Sequence, residues 1–280
     1  MPPISLNVAA GALSRANVAA NSLATPESSR FFREILEKAL ANPESRSRPW
    51  AAEAQALLAN ILVNDYLHSW NQAGDDELDA AETAMKEALK TDLPLAHHAK
   101  GLIYRARGYH KDARKAFARA VELDPTFARA LAQEGNESTL LGKIEDALRS
   151  VNKAIRLSPY DPALGTFHWI KGRAHFVAAQ SDDEPDKNAQ YDKAIRSLKE
   201  SVKRLSTVWY NWAYLVSAYL ARGHREEAVA ILNQFTSQSQ FREFTLEDVK
   251  KYEKANPDGH PLIVKAREAV YAGLKAAGLK

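Results

Sequence analysis

The sequence predicts an all-α chain: a right-handed α-solenoid of antiparallel helix pairs. Three observations lead there. One 34-residue frame is read twice between Pro94 and Asp161, where Gly101, Gly108, Ala113, Ala120 and Pro125 recur as Gly135, Gly142, Ala147, Ala154 and Pro159. A period of that length is the mark of a stacked helical repeat. Within the frame, Leu95 to Arg107 reads as one helix and Lys111 to Leu123 as a second. The turn between them, Gly108-Tyr109-His110, is so short that the two helices must lie antiparallel side by side.

Each recurring residue has its own physical task. Gly101 and Ala113 lack bulk, which lets two helices approach closely, and Ala120 does the same toward the next unit. Tyr104 and Phe117 fill the space that remains, because protein interiors tolerate few voids. Gly108 suits a helix C-terminus that enters a turn at positive φ. Pro125 has no N–H and disfavours helix in the residue before it, so the second helix stops near Asp124. One such pair cannot bury its apolar side alone, so the flanking sequence should hold degenerate copies.

Taken in order, residues 1–26 read as a flexible arm. Alanines over Asn7–Leu23 favour a helix there, while Gly11 and the asparagines oppose it. Ser28 to Leu40 carries Phe32, Ile35, Leu36 and Leu40 at helical spacing and reads as an unpaired second helix that caps the stack. The solenoid spans 27–242, in units of about 50–93, 94–127, 128–161, 165–208 and 209–242. The 50–93 unit opens on a long helix, Trp50 to Trp70, with Pro49 at its start. Its partner, Leu78 to Leu89, is acidic, with only Lys86 and Lys90 to answer the acids, and reads as a solvated face. The unit that starts near Gly165 holds extra residues, ten of them assigned to a loop within Gln180–Gln190. The last unit regains the frame through Ala228, Leu232 and Phe235, and keeps an early tryptophan, Trp212. Residues 243–280 read as two capping helices, Leu246 to Ala255 and Leu262 to Ala277, split by Asn256-Pro257-Asp258-Gly259 and carrying lysines on a polar outer side.

Composition narrows the function classes. A net charge of +3 is too small to imply nucleic acid or an anionic membrane. The chain has no cysteine, so disulfides, thiolate catalysis and Cys-ligated metals are excluded. No apolar run is long enough for a membrane-spanning helix, and the N-terminus lacks the basic start of a secretory signal. The cytoplasm is the expected location.

No catalytic pattern stands out. The eight histidines are scattered; His97 and His98 point in different directions on a helix, and His168 and His175 have no third ligand at metal spacing. No phosphate-cradling glycine loop and no serine-nucleophile motif occurs. The expectation is therefore no enzyme, no metal and no cofactor. Binding remains. In stacked pairs the first helix of each pair lines the inner surface, through positions 5, 9 and 12 of each unit. The candidates there are His98 and Arg105; Asn136; Trp169, Arg173 and Phe176; and Ser217. Asn136, Arg105 and Arg173 have the chemistry to grip a peptide backbone or carboxylate, and Trp169 with Phe176 to form an apolar pocket beside them.

From about Ser28 to Arg242 the chain resembles tetratricopeptide repeat proteins, on the recurring glycines, alanines and prolines given above. The resemblance implies a scaffold that holds peptides or helices in its groove. Some members grip the C-terminal carboxylate of chaperones with a lysine–asparagine clamp; here Asn136 keeps the asparagine, whereas His98 and Ala132 stand where a lysine is wanted. The runs Pro49-Trp50, Asn64-Asp65-Tyr66, Leu102-Ile103-Tyr104-Arg105-Ala106 and Arg156-Leu157-Ser158-Pro159 also look like the repeat tails of bacterial class III adenylate cyclases and winged-helix regulators. That likeness implies a regulatory or assembly part of bacterial type. The expected partner is a protein or peptide, with no nucleic acid and no membrane insertion. The alternatives are self-association as a homodimer through the C-terminal helices and, third, an RNA-binding helical repeat.

Overall fold

The computed structural model describes residues 26–42, 48–68, 70–253 and 259–280. The arm expected over 1–26 lies outside them but for Pro26, as do Asn256, Pro257 and Asp258 of the C-terminal turn. Among the described residues there are thirteen α-helices and no strand. The chain divides into two compact units, Met1–Glu134 with Asp161–Ala163, and Gly135–Tyr160 with Leu164–Lys280.

The first unit holds α1 (Pro26–Ala41), α2 (Ala51–His68), α3 (Asp75–Ala88), α4 (Pro94–Ala106), α5 (His110–Leu123) and the start of α6 (Ala128–Leu140). Its core joins Leu36 of α1, Leu57 and Leu62 of α2, Leu78 and Met85 of α3, Ile103 of α4 and Phe117 of α5. α1 is held to α2 by more than apolar contact. Ser29 Oγ donates to the fully buried Asp65, which also accepts from Asn71 Nδ2 at 3.1 Å. Asn71 reaches back to the Pro26 carbonyl at 3.1 Å. The long helix expected up to Trp70 ends at His68; a 3₁₀ turn, Trp70–Gln72, follows, with Asn71 and Gln72 at positive φ. The acidic helix α3 is better answered than two lysines would allow. Arg107, from the α4–α5 turn, donates to Glu82 at 2.9 Å and to Asp79 at 2.5 Å, and Arg33 of α1 lies 3.5 Å from Glu77. Its acids thus pair with arginines that are distant in sequence.

The second unit holds the rest of α6, then α7 (Ile144–Leu157), α8 (Leu164–Ala178), α9 (Lys187–Arg204), α10 (Trp209–Ala221), α11 (Arg225–Thr236), a 3₁₀ turn (Ser239–Phe241), α12 (Leu246–Glu253) and α13 (Pro261–Ala277). The loop expected within 180–190 is shorter than the insertion. α9 already starts at Lys187, capped by Asp186, whose carboxylate accepts from Ala189 N–H at 2.9 Å. α8 runs 15 residues and α9 18, against 13 and 14 in α4 and α5, so part of the added sequence lengthens both helices.

The recurring glycines are where the sequence anticipates them. Gly108, Gly142 and Gly223 each close a first helix at φ of 80°, 73° and 80°. Gly101, Gly135 and Gly172 sit at helix crossings. A Cβ on Gly101 would stand 2.5 Å from the Phe117 ring, one on Gly135 2.9 Å from the Ala147 carbonyl oxygen, and one on Gly172 2.6 Å from Leu198. Trp212 is buried and donates its indole N–H to the Ser206 carbonyl at 2.8 Å.

Two substitutions separate these roles. Gly101→Ala forces a methyl into the fully buried Phe117 ring and should cost about 1–3 kcal/mol in urea unfolding. Gly108→Ala meets no neighbouring atom and strains only the backbone, so it should cost about 1 kcal/mol. Equal losses, or a smaller loss at Gly101, would mean that the crossing is not tight.

Candidate functional site

The residues expected to line the inner surface fall in both units. In the first unit they build an interior polar cluster. Helical spacing puts His98 of α4 opposite Asn60 of α2, and His98 Nδ1 lies 2.7 Å from Asn60 Oδ1. The Asn60 amide donates to the Ala56 and Leu95 carbonyls, at 2.8 and 3.3 Å, which fixes Oδ1 as acceptor and Nδ1–H as donor. The His98 ring packs against Phe117 and Phe127, with centroids 5.5 and 5.2 Å away. Burial, then the charges of Arg129 and Arg105, push its pKa down to about 3. His98 is therefore a neutral interior residue. Arg105 is half-buried, with its guanidinium 5.3 Å from the Phe117 ring centroid.

In the second unit the pattern brings Asn136, Trp169 and Arg173 together. Arg173 on α8 donates to Asn136 Oδ1 at 2.5 Å and to its carbonyl at 3.3 Å. The Arg173 guanidinium lies 4.5 Å from the Trp169 ring centroid, and Trp169 in turn packs against Tyr210, with centroids 4.5 Å apart and the rings tilted by 48°. Asn136 and Arg173 thus grip each other, and both are buried. Phe176, 1% exposed, packs its ring edge-on against Tyr191 and Tyr214. The face that these residues were to offer a ligand is not open at His98, Asn136, Arg173, Phe176 or Ser217, all of which are buried.

At Ser217 the cover belongs to the chain itself. α13 packs on α10, and also touches α8, α11 and α12. Ser217 Oγ, already bonded to the Ala213 carbonyl at 2.9 Å, lies 3.1 Å from the Val270 carbonyl of α13. Gly273 sits over the same serine; a Cβ there would stand 2.5 Å from Ser217 Oγ and 2.8 Å from its Cβ. Further along, Lys265 pairs with Asp182 at 2.7 Å, and the His260 ring abuts Gly142. Ile263, Ala266, Val270, Leu274 and Ala277 of α13 join the core of α8, α10 and α11. These two C-terminal helices therefore differ. α12 adds Val249 to the core, and Phe244 just before it packs on Trp209 and Phe235, whereas α13 packs mainly on the first helices α10 and α8. Sequence reasoning missed Val270, Gly273 and Tyr210. The available signal was Gly273 itself, a mid-helix glycine where no turn calls for one.

The comparisons agree with this architecture. Residues 94–127 match the family model described as tetratricopeptide repeat, over the first of the two frames. The chain thus carries a tetratricopeptide repeat within an α-solenoid of helix pairs. No curated protein matches it. Among solved structures it is similar to PilF of Pseudomonas aeruginosa, with a TM-score of 0.54 and 16% identity over 85% of this chain and 93% of that one. A tetratricopeptide repeat protein from Parabacteroides merdae gives 0.50 and 13%, covering 96% and 98%. A monomeric IFIT1 mutant with m7Gppp-AAAA gives 0.57 and 14%, covering 96% of this chain and 64% of that one. At such identities the likeness is one of fold.

The buried imidazoles make a pH prediction. His175, bonded to Gln190 Oε1 at 2.8 Å, is likewise lowered by burial, to about 4. Both rings stay neutral in the folded chain where unfolded histidine, with a pKa of about 6.5, takes up a proton. Their contribution to stability is whole above pH ~6.5 and is lost as pH falls toward about 4 and about 3. His98→Gln should flatten the stability–pH curve below pH ~6 by about 1.4 kcal/mol per pH unit relative to wild type. An unchanged slope would mean that His98 is already protonated in the fold.

Proposed function

We propose that this chain is a non-catalytic protein-interaction scaffold that takes a peptide or helix on the first-helix faces of its repeats. Helix pairs of this kind generally mediate protein–protein contacts, and that is the role the repeat at 94–127 carries with it. One observation favours a helix as ligand in the second unit: α13, an amphipathic segment, already seats there with its main chain against Ser217. Trp169 of α8, half-buried against Tyr210, offers the aromatic chemistry of a binding hot spot, with the buried Arg173 guanidinium behind its ring. In the first unit Arg105 plays the corresponding part, with His98 as its buried support. The polar groups one would enlist for catalysis serve structure instead, since His98 is held by Asn60 and His175 by Gln190. The reading includes a regulatory or assembly role of bacterial type, supported only by the resemblance of the Pro49–Trp50 and Leu102–Ala106 runs to regulator-borne repeat tails, and a cytoplasmic location, supported by the composition.

The test is affinity capture on the tagged full chain, followed by titration of the purified captured protein. Trp169→Ala with Arg173→Ala should weaken binding by about tenfold or more, roughly 1.4 kcal/mol, while circular dichroism keeps its helical signal. Binding that persists at full strength in a folded double variant would reject this face. Failure of the wild-type chain to retain any protein would reject the scaffold.

A further inference from the structure

The helix that covers the second unit is a guide to what else fits there. α13 is not half of a repeat hairpin, and it meets the unit by features that any helix of the right pattern would share. Its buried positions, Ile263, Ala266, Val270, Leu274 and Ala277, recur at spacings of 3 and 4 and form one stripe. The polar link at the crossing goes from a serine hydroxyl to a main-chain carbonyl, Val270 O, and so reads no side chain. That carbonyl can be reached because the residue three positions on is Gly273, whose missing Cβ leaves the room the serine occupies. The remaining polar tie, Lys265 to Asp182, is exposed, with side chains 47% and 82% accessible, and surface pairs of that kind add little.

We infer that the first-helix face of the second unit is a docking site for an amphipathic helix with glycine at its crossing point, and that α13 is a resident occupant which such a helix displaces. The inference rests on the scaffold reading above and names its ligand class. The incoming helix carries aliphatic or alanine side chains ten, seven and three positions before its glycine, and one and four after, as Ile263, Ala266, Val270, Leu274 and Ala277 stand to Gly273. A basic residue eight positions before the glycine meets Asp182, as Lys265 does. The face rejects a helix with a larger residue at the crossing, because any Cβ there collides with Ser217. Tethering gives α13 an effective concentration in the millimolar range, so a free helix competes only if the tethered one is loosened or the rival binds better.

A labelled peptide of residues 259–280 is the probe, titrated against the full-length chain by fluorescence anisotropy. Gly273→Leu in the protein should unseat its own α13 and expose the face. That variant should bind the wild-type peptide at least about tenfold more tightly than the unaltered chain does. Adding Ser217→Leu to it should abolish the gain, and a peptide carrying the Gly273→Leu change should not bind. Ala272→Leu, on the exposed side of α13, should leave the protein as unreceptive as wild type. Should Gly273→Leu fail to fold, the milder Gly273→Ala decides by hydrogen exchange: its Cβ already meets Ser217, so exchange within 261–277 should rise relative to wild type while added peptide keeps α8 and α10 protected. No binding by a folded Gly273→Leu chain, a gain that survives Ser217→Leu, or unchanged exchange in 261–277 would each overturn the proposal. Loss of cellular partners in the capture experiment with normal peptide exchange would instead reject only the scaffold role.

Discussion

Close approach of helix to helix is the constraint from which the rest of this molecule follows. At Gly101, Gly135 and Gly172 the space for even one methyl is taken by a partner: an aromatic ring, a backbone carbonyl or a leucine. Each helix pair can therefore present a flat, small-residue side to its mate and keep its large residues for the interior. Phe117, Phe167, Phe176, Trp212 and Phe235, all nearly or fully buried, then fill the interior. The same device recurs once outside the repeat frame, where Gly273 meets Ser217. There it joins α13 to α10 of the last repeat.

The repeat frame made much of the fold readable. Gly108, Gly142 and Gly223 adopt positive φ at the helix ends where the frame calls for them, and α4 and α5 begin and end within a residue or so of the expected bounds. Periodicity carried that information because each of these contacts lies within one unit or between adjacent ones. What the frame could not carry were contacts that do not repeat. Arg107 finding Asp79 and Glu82, Ser29 finding Asp65, and α13 finding Ser217 each depend on how separated segments come together. The inner-surface residues illustrate the division. Their helical positions were legible, but their burial was not, since Asn136 and Arg173 consume each other's polar groups and Ser217 is covered by α13.

The interior polar groups follow a single logic in both units. Several polar side chains of the first helices bond in pairs, although His98 Nε2 is buried with no hydrogen-bond partner. Asn60 orients His98, Gln190 orients His175, and Asp65 collects Ser29 and Asn71. Each pair bridges two helices, so each fixes a register that apolar contact alone would leave free to slide. In the second unit Gln190 also donates to Glu184 at 3.1 Å, which ties the inserted loop down onto α9.

The seat of α13 has a consequence for the chain as it is made. The helices beneath it, α8 and α10, leave the ribosome well before the residues that will cover them. Between those two moments the nascent protein leaves bare the part of the core, around Ser217, on which α13 packs in the finished molecule. Exposed surface of that kind invites chaperones and aggregation. Synthesis thus creates an interval in which the seat is vacant, and the second unit's core is complete only once α13 has arrived.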